Sequence, residues 1–578
     1  MVLPRRAWFL PRTVTKRRRM SMNGNSVIAK ILKLEGVEWI AAFPEQKLID
    51  AVAKEGIRPI ITRQERAGVN MADGFSRIRN GNQVGIFTMQ RGPGAENAYG
   101  GVAQAFADSV PILLFPGGAP RRRMQVHPDF ASCDQYHGVT KYTRNCNLVE
   151  RLPEMLRYAF TLLKHGRPGP VLLEIPDDVG TEEYPGEFDY TPVRRHRSAA
   201  DPDEVRDLVR AMLAADCPVI NAGQGALYAE ATPELVELAE LIHIPVLTSL
   251  AGKSAFPENH PLALGTAGHS STLMVDHFLR KTDFILGAGT SFTHSVFNGP
   301  VPVGVPLAQL TNCPEDLNKD HAVDFGAIGD AKVVLRQIIQ EVERQIGAGG
   351  RTDEQGVAAE IARVRADFEA EWRPHFESDE VPISPYRVFR EVIRAVDPAN
   401  AIATHDSGFP RDQLVPFWPA LAPRGYIGWG KSTQLGYGLG LALGAKMAAP
   451  EKDVIHIMGD AAFGMAGLDL ETAARNKIAT LHIVLNNGVM THYSSHMPYA
   501  TKHWGSNAFS GEYAQVVRGL GVHAERVDTP DGLAPAIRKA LEVTRGGDPA
   551  FIETITKEEE HIPRFWAPGT WDYPMGGE

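Results

Sequence analysis

Residues 454–493 read VIHIMGDAAFGMAGLDLETAARNKIATLHIVLNNGVMTHY. An apolar run ends in Gly459-Asp460, a helix-like stretch follows, and a second apolar run ends in Asn486-Asn487. If both runs are strands of one parallel sheet, their ends share its carboxyl edge, where ligands bind. A carboxylate and a carboxamide there can share one hard cation. Magnesium suits them, since it takes near-octahedral oxygen ligands and commonly keeps phosphate oxygens among them. The intervening helix would start at the cation and aim free N–H groups at a diphosphate. The plain alternative is that GD and NN are strand-end turns. A second carboxyl, Glu65 in ITRQERAGVNMADGFSR (61–77), follows the apolar run RPIIT and opens a helical pattern. It is either a buried acid beside a ligand or a first-turn acid favoured by the helix dipole.

These pieces need a scaffold. At 578 residues the chain exceeds one core. From about residue 24, VEWIAAF, RPIIT, VGIFTM, PILLFPG and GPVLLEIP read as buried strands between amphipathic stretches. CPVINAG, IPVLTSL, TDFILGAG and PLAQLT repeat the pattern, as do AIATHDSG, VIHIMGD, LHIVLNN and AFIETITK. Strands alternating with helices predict α/β architecture: three doubly wound parallel-sheet domains over 24–188, 200–345 and 385–565. Polar, proline-bearing linkers separate them.

A net charge of −9 and ordinary composition argue against nucleic-acid binding. No apolar run is long enough to span a membrane. Cys133, Cys146, Cys217 and Cys313 form no C-x-x-C pair, which suits a reducing, cytoplasmic setting. Residues 1–23 form a basic tail with Arg5, Arg6, Arg12, Lys16, Arg17, Arg18 and Arg19. It is read as a disordered extension or misplaced start, with a targeting or anionic-surface segment as the alternative.

The 454–493 stretch resembles the motif of the thiamine-diphosphate-dependent enzymes. The resemblance makes Asp460, Asn487 and the backbone oxygen of Val489 the magnesium ligands. It departs at Ala461, where the motif has glycine; alanine costs little unless the position is left-handed. Residues 61–77 resemble the same family's glutamate motif. That implies a catalytic Glu65, hydrogen-bonded to N1′ of the aminopyrimidine so that the 4′-imino group takes the C2 proton. GWGKSTQLGYGLGLALGAKMA (428–448) resembles the segment that holds the cofactor bent, with the Thr433 carbonyl on the 4′-amino group and Leu435 under the thiazolium. Its small residues suggest close packing against the cofactor. Gly459, Ala462, Ser407 and Gly408 complete the expected cofactor contacts. Gly92-Pro93-Gly94 forms a turn beside the pyrimidine and is no phosphate loop, since G-x-G-x-x-G fails at Asn97.

The resemblance thus implies a pyrimidine-binding, a middle and a diphosphate-binding domain, with thiamine diphosphate and Mg2+. The site would lie between subunits of a homo-oligomer. Within the family the chain looks most like acetolactate synthase, implying a decarboxylase or carboligase acting on a 2-oxo acid. Oxalyl-CoA decarboxylase and 2-hydroxyacyl-CoA lyase are similar too, but EEEHIPRFWAPGTWDYPMGGE lacks the basic charge a CoA site needs. A non-catalytic scaffold of the same fold is the reading from another class; Glu65, Asp460 and Asn487 together speak against it.

Substrate-facing positions depart from acetolactate synthase. Pro44-Glu45-Gln46 stands where that enzyme has Pro-Gly-Gly, and Gln90-Arg91 replaces smaller residues. Gln46, Gln90, Arg91, His492 and Tyr493 are the substrate candidates, Arg91 as a fork for a carboxylate. His127, His137, His496 and His503 have weaker claims. Some relatives carry a flavin or nucleotide in the middle domain. QLTNCPEDLNKDHAVD (309–324) lacks the Asp-x-Asp-Pro strand end and GTSFTHSV lacks the arginine-bearing loop, so FAD is not expected. A vestigial or ADP-like pocket stays open.

Overall fold

The computed structural model describes residues 22–44, 47–295, 297–354, 356–566 and 572–573. The basic tail up to Ser21, and the candidate Gln46, lie outside the described residues. Met22 and Asn23, read as the end of that tail, join the first domain: the Asn23 side chain caps the helix Gly24–Leu34 by accepting from Ser26 N at 3.0 Å.

The first sheet comprises β1 (Trp39–Ala42), β2 (Arg58–Ile61), β3 (Gly85–Met89), β4 (Ile112–Gly118), β5 (Tyr142–Asn145) and β6 (Val171–Pro176), all parallel, in the order β2-β1-β3-β4-β6-β5. The second contains β7 (Pro218–Ala222), β8 (Val246–Ser249), β9 (Ala263–Ala267) and β10 (Phe284–Ala288). After the short β11 (Val301–Pro302) it adds β12 (Leu307–Thr311) and β13 (Phe325–Ile328), giving the order β13-β12-β10-β7-β8-β9. The third contains β14 (Ala401–His405), β15 (Tyr426–Ile427), β16 (Asp453–Gly459), β17 (Leu481–Asn486), β18 (His523–Val527) and β19 (Ala550–Ile555), in the order β15-β14-β16-β17-β19-β18. A last strand, β20 (Asp572–Tyr573), pairs with β11.

Apolar runs of four to seven residues become central strands because helices cover both faces of a parallel sheet. Strands β3 and β4 are buried along their whole length. The outer sheets share one strand order, and each changes direction beside its first strand, between β1 and β3 and between β14 and β16. A crevice opens at such a point on the carboxyl edge.

The first and third domains meet through two helices, Glu65–Ile78 and Tyr437–Ala448. A Cβ on Gly74 would stand 2.2 Å from Leu441 O, and one on Gly444 2.0 Å from Met71 O. Gly440 and Gly444 of the 428–448 segment thus serve a helix crossing with backbone contact. Arg77 closes this interface: it donates to Asp73 at 2.6 Å, Asp108 at 3.0 Å and Gly428 O at 2.8 Å, all buried.

Candidate active site

Strands β14, β16 and β17 end side by side, and a cleft of about 220 Å³ opens over them. Ser407, Gly408, Thr433, Leu435, Gly459, Asp460, Ala461, Ala462, Asn487 and Val489 all line it, as does Tyr493. Segments more than 80 residues apart in the chain converge because the strand ends share one edge.

Asp460 is 4% exposed. One carboxylate oxygen accepts from Ala461 N at 2.7 Å and the other from Gly488 N at 2.8 Å. Burial raises this carboxyl above the ordinary aspartate range, while the two N–H groups pull it back down. A cation in the cleft would reverse the effect of burial. The Asn487 carboxamide oxygen accepts from Val489 N at 3.0 Å, and its NH2 donates to Thr491 Oγ1 at 2.8 Å, so the oxygen keeps a lone pair for a metal. Ala461 lies inside the helix Asp460–Ala466 and has no positive φ, so the missing glycine costs no strain.

Among the described residues no three His, Cys, Asp or Glu side chains cluster as a metal site. The residues expected from the sequence to hold the cation, Asp460, Asn487 and Val489, offer a carboxylate, a carboxamide and a backbone oxygen. Such a set fits a magnesium ion that a diphosphate completes, and fits zinc poorly.

One organising residue, Asp406, has no counterpart in the sequence reading. Its buried carboxylate accepts from Ser407 N at 2.7 Å, Gly436 N at 2.8 Å and Gly438 N at 2.9 Å. It thus fastens the loop carrying Thr433 and Leu435 to the end of β14. Gly436 needs its φ of 80° to turn that loop into the next helix. The Thr433 carbonyl accepts from Ser407 Oγ at 2.9 Å and retains a second lone pair. The pattern HDSG at a strand end was the only trace of Asp406 in the sequence.

Glu65 opens its helix and is 4% exposed, and no hydrogen-bond donor meets its carboxylate among the described residues. Beside it, Gly94 leaves room; a Cβ there would stand 3.4 Å from Oε1. A buried carboxyl with an open flank suits a ligand nitrogen. Glu65 does not line the Asp460 cleft, whose walls come entirely from residues 385–559.

Gln90 and Arg91 line a separate cleft at the carboxyl edge of the first sheet, with Pro44, Lys47 and Gly92. Arg91 is exposed and has no ion-pair partner among the described residues. Of the other candidates, Tyr493 faces the Asp460 cleft. His492 instead pairs with Glu560 at 2.9 Å and donates its N–H to Glu558 at 3.2 Å, tying its loop to the C-terminal segment. His127, His137, His496 and His503 are exposed loop or short-helix residues.

Three successive family matches agree with this layout. The N-terminal TPP binding domain of thiamine pyrophosphate enzymes matches residues 22–138, the central domain 205–338 and the C-terminal TPP binding domain 406–554. The chain belongs to the thiamine pyrophosphate enzymes and depends on that cofactor to make or break C–C bonds.

Within that class it is similar to the probable acetolactate synthase large subunit of Methanococcus aeolicus, at 28% identity over 90% of both chains. The acetolactate synthase isozyme 3 large subunit of Escherichia coli K12 is 26% identical over 94% of this chain and 96% of its own. A glyoxylate carboligase of Escherichia coli O157:H7 is 29% identical over 92% and 93%. No helix among the described residues is long and apolar enough to cross a membrane.

Proposed function

We propose that the protein is a Mg2+-dependent carboligase that decarboxylates a 2-oxo acid and joins the remaining fragment to an acceptor carbonyl. The single observation that carries this is the convergence of Asp460, Asn487, Thr433 and Leu435 on one cleft. Thiamine diphosphate would supply there a carbanion equivalent and an electron sink for decarboxylation.

The chain's own residues do the rest. Asp460, Asn487 and the Val489 carbonyl would hold the magnesium, and the Thr433 carbonyl would accept from the 4′-amino group. Leu435 would support the thiazolium, and the Glu65 carboxyl would hold a proton at the pyrimidine N1′. Arg91 and Gln90 take the substrate carboxylate, Arg91 through its planar fork. Glu65 does not line the Asp460 cleft of its own chain, which supports a homo-oligomer in which a second copy brings its Glu65 to that cleft. Met465, Leu468, Tyr99 and Phe106 offer exposed apolar surface for that contact.

Acyl-CoA substrates are disfavoured by the C-terminal run Glu558-Glu559-Glu560, of which Glu559 lines the cleft. The test is carbon dioxide release and ligated product from a panel of 2-oxo acids, with and without magnesium. Glu65→Gln should lower kcat by about 10²–10⁴-fold while leaving cofactor affinity intact. Equal turnover by Glu65→Gln, or turnover of acyl-CoA alone, would overturn the reading.

A further inference from the structure

Counted within its own domain, the middle sheet runs 3-2-1-4-5-6, the order that binds dinucleotides at the crevice between strands 1 and 4. Here those strands are β7 and β10, which are direct neighbours. A glycine turn, Gly223-Gln224-Gly225, follows β7 where a diphosphate would seat. The fold, and the flavin of some relatives, therefore raise the expectation of a dinucleotide.

The chain narrows this crevice to a cavity of about 110 Å³, lined at the strand ends by Gly225, Ser249, Gly289 and Asp330. Gly223 N donates to Ala288 O at 2.9 Å, and Gly225 N donates to Gly289 O at 2.9 Å. These N–H groups, which a diphosphate would need, are spent on the last residue of β10 and the first residue beyond it. The fit is backbone on backbone: a Cβ on Gly223 would stand 2.3 Å from Gly289 O, and one on Gly289 2.5 Å from Ala226 N. The loop after β8 presses in from the other side, with a Gly252 Cβ only 2.4 Å from Ala222 O. At the end of β8, where an acid would take a ribose, Ser249 instead caps its own turn through Gly252 N at 3.2 Å. Asp330, beyond β13, is committed to the helix it starts, accepting from Lys332 N at 3.2 Å.

The seam forms one wall of that cavity, and Arg167, Arg195, Tyr228, Asp316 and Lys431 close its mouth. Bonds between domains bridge it. Arg167 of the first domain pairs with Asp316, Asn312 Nδ2 donates to Gly166 O at 3.1 Å, and Lys431 of the third domain donates to Ser291 at 2.9 Å. An extended two-ring ligand would have to part the glycine seam and these bridges together.

We infer that the middle domain does not hold FAD and that the enzyme works without it. Its strand ends fasten the three domains to one another instead.

The test uses the full chain loaded with thiamine diphosphate and magnesium. After heat denaturation the supernatant is assayed for flavin fluorescence, and the native protein is melted with and without saturating FAD. The expected result is no flavin signal above buffer and an unmoved unfolding midpoint, since a ligand that does not bind the native state cannot shift it. Flavin released in proportion to protein, or a midpoint raised by FAD, would overturn the inference. Neither readout depends on turnover, so the result stands whichever substrate the enzyme takes.

Discussion

The carboxylate of Asp460, just beyond β16, accepts a hydrogen bond from the backbone N–H of Gly488, just beyond β17, at 2.8 Å. This contact draws the ends of two neighbouring strands together and brings Asn487 into the cleft with Asp460.

Gly488 has a φ of 73°, and a Cβ there would lie 3.5 Å from Phe509 O. Gly488→Ala should cost about 1–2 kcal/mol of backbone strain and turn the N–H away from Asp460. Magnesium affinity should fall by about 10–100-fold, as for other residues that orient metal ligands. Metal titration in the presence of thiamine diphosphate reads this directly; unchanged affinity would show that the contact is dispensable.

Asp406 should matter through the loop it fastens. Asp406→Ala leaves the N–H groups of Gly436 and Gly438 buried without their acceptor. At about 1–3 kcal/mol for each stranded group, a loss of at least ~2 kcal/mol is expected in urea unfolding. Thiamine diphosphate binding should weaken as well, because Thr433 and Leu435 ride on that loop. A loss of stability with affinity unchanged would confine Asp406 to the scaffold.

Arg77 joins the first and third domains through Asp73, Asp108 and Gly428. Arg77→Met strands two buried carboxylates and should destabilise by about 3–5 kcal/mol. Denaturant unfolding followed by fluorescence measures it. A change below 1 kcal/mol, on the order of an exposed ion pair, would contradict the buried network.

Burial pushes the Asp469 carboxyl up to about 6, against the bonds from Arg63 N at 2.8 Å and Thr472 Oγ1 at 2.9 Å. A raised acid binds more protons folded than unfolded between about pH 4 and 6. This residue's contribution to stability therefore falls as pH rises through that window, by about 2–3 kcal/mol. Asp469→Asn should remove that fall and gain stability at pH 8 relative to wild type. Unfolding free energies of both proteins at pH 4.5 and pH 8, in the window that linkage of about one such carboxyl predicts, decide it.

Central strands were legible and several edge strands were not. β5, β9, β13, β15 and β18, none of them read from the sequence, are all edge strands. A parallel strand flanked on both sides needs an unbroken apolar run, whereas an edge strand is partly open to water. β5 (YTRN) and β18 (HAERV) keep charged residues for that reason, and β9 carries Gly265 at a φ of 96° beside a register shift. The site divides in a similar way. Asp460, Asn487 and Glu65 stand out because their chemistry depends on residue type at a strand end or helix start. The hold of Asp406 on Gly436 and Gly438 is made to backbone N–H groups, which leave no mark on residue identity. The seam between Gly223 and Gly289 was equally silent, since glycine spacing alone does not say whether a ligand or the chain itself comes close.

The most direct measurement is calorimetric titration of metal-stripped protein with thiamine diphosphate, with and without magnesium, for wild type and Asp460→Ala. Magnesium-dependent binding to wild type, weakened more than about 100-fold in the variant, is the expected result, since loss of a metal ligand should exceed loss of a residue that merely orients one. Binding that ignores magnesium, or that survives unchanged in Asp460→Ala, would contradict the account of the cleft.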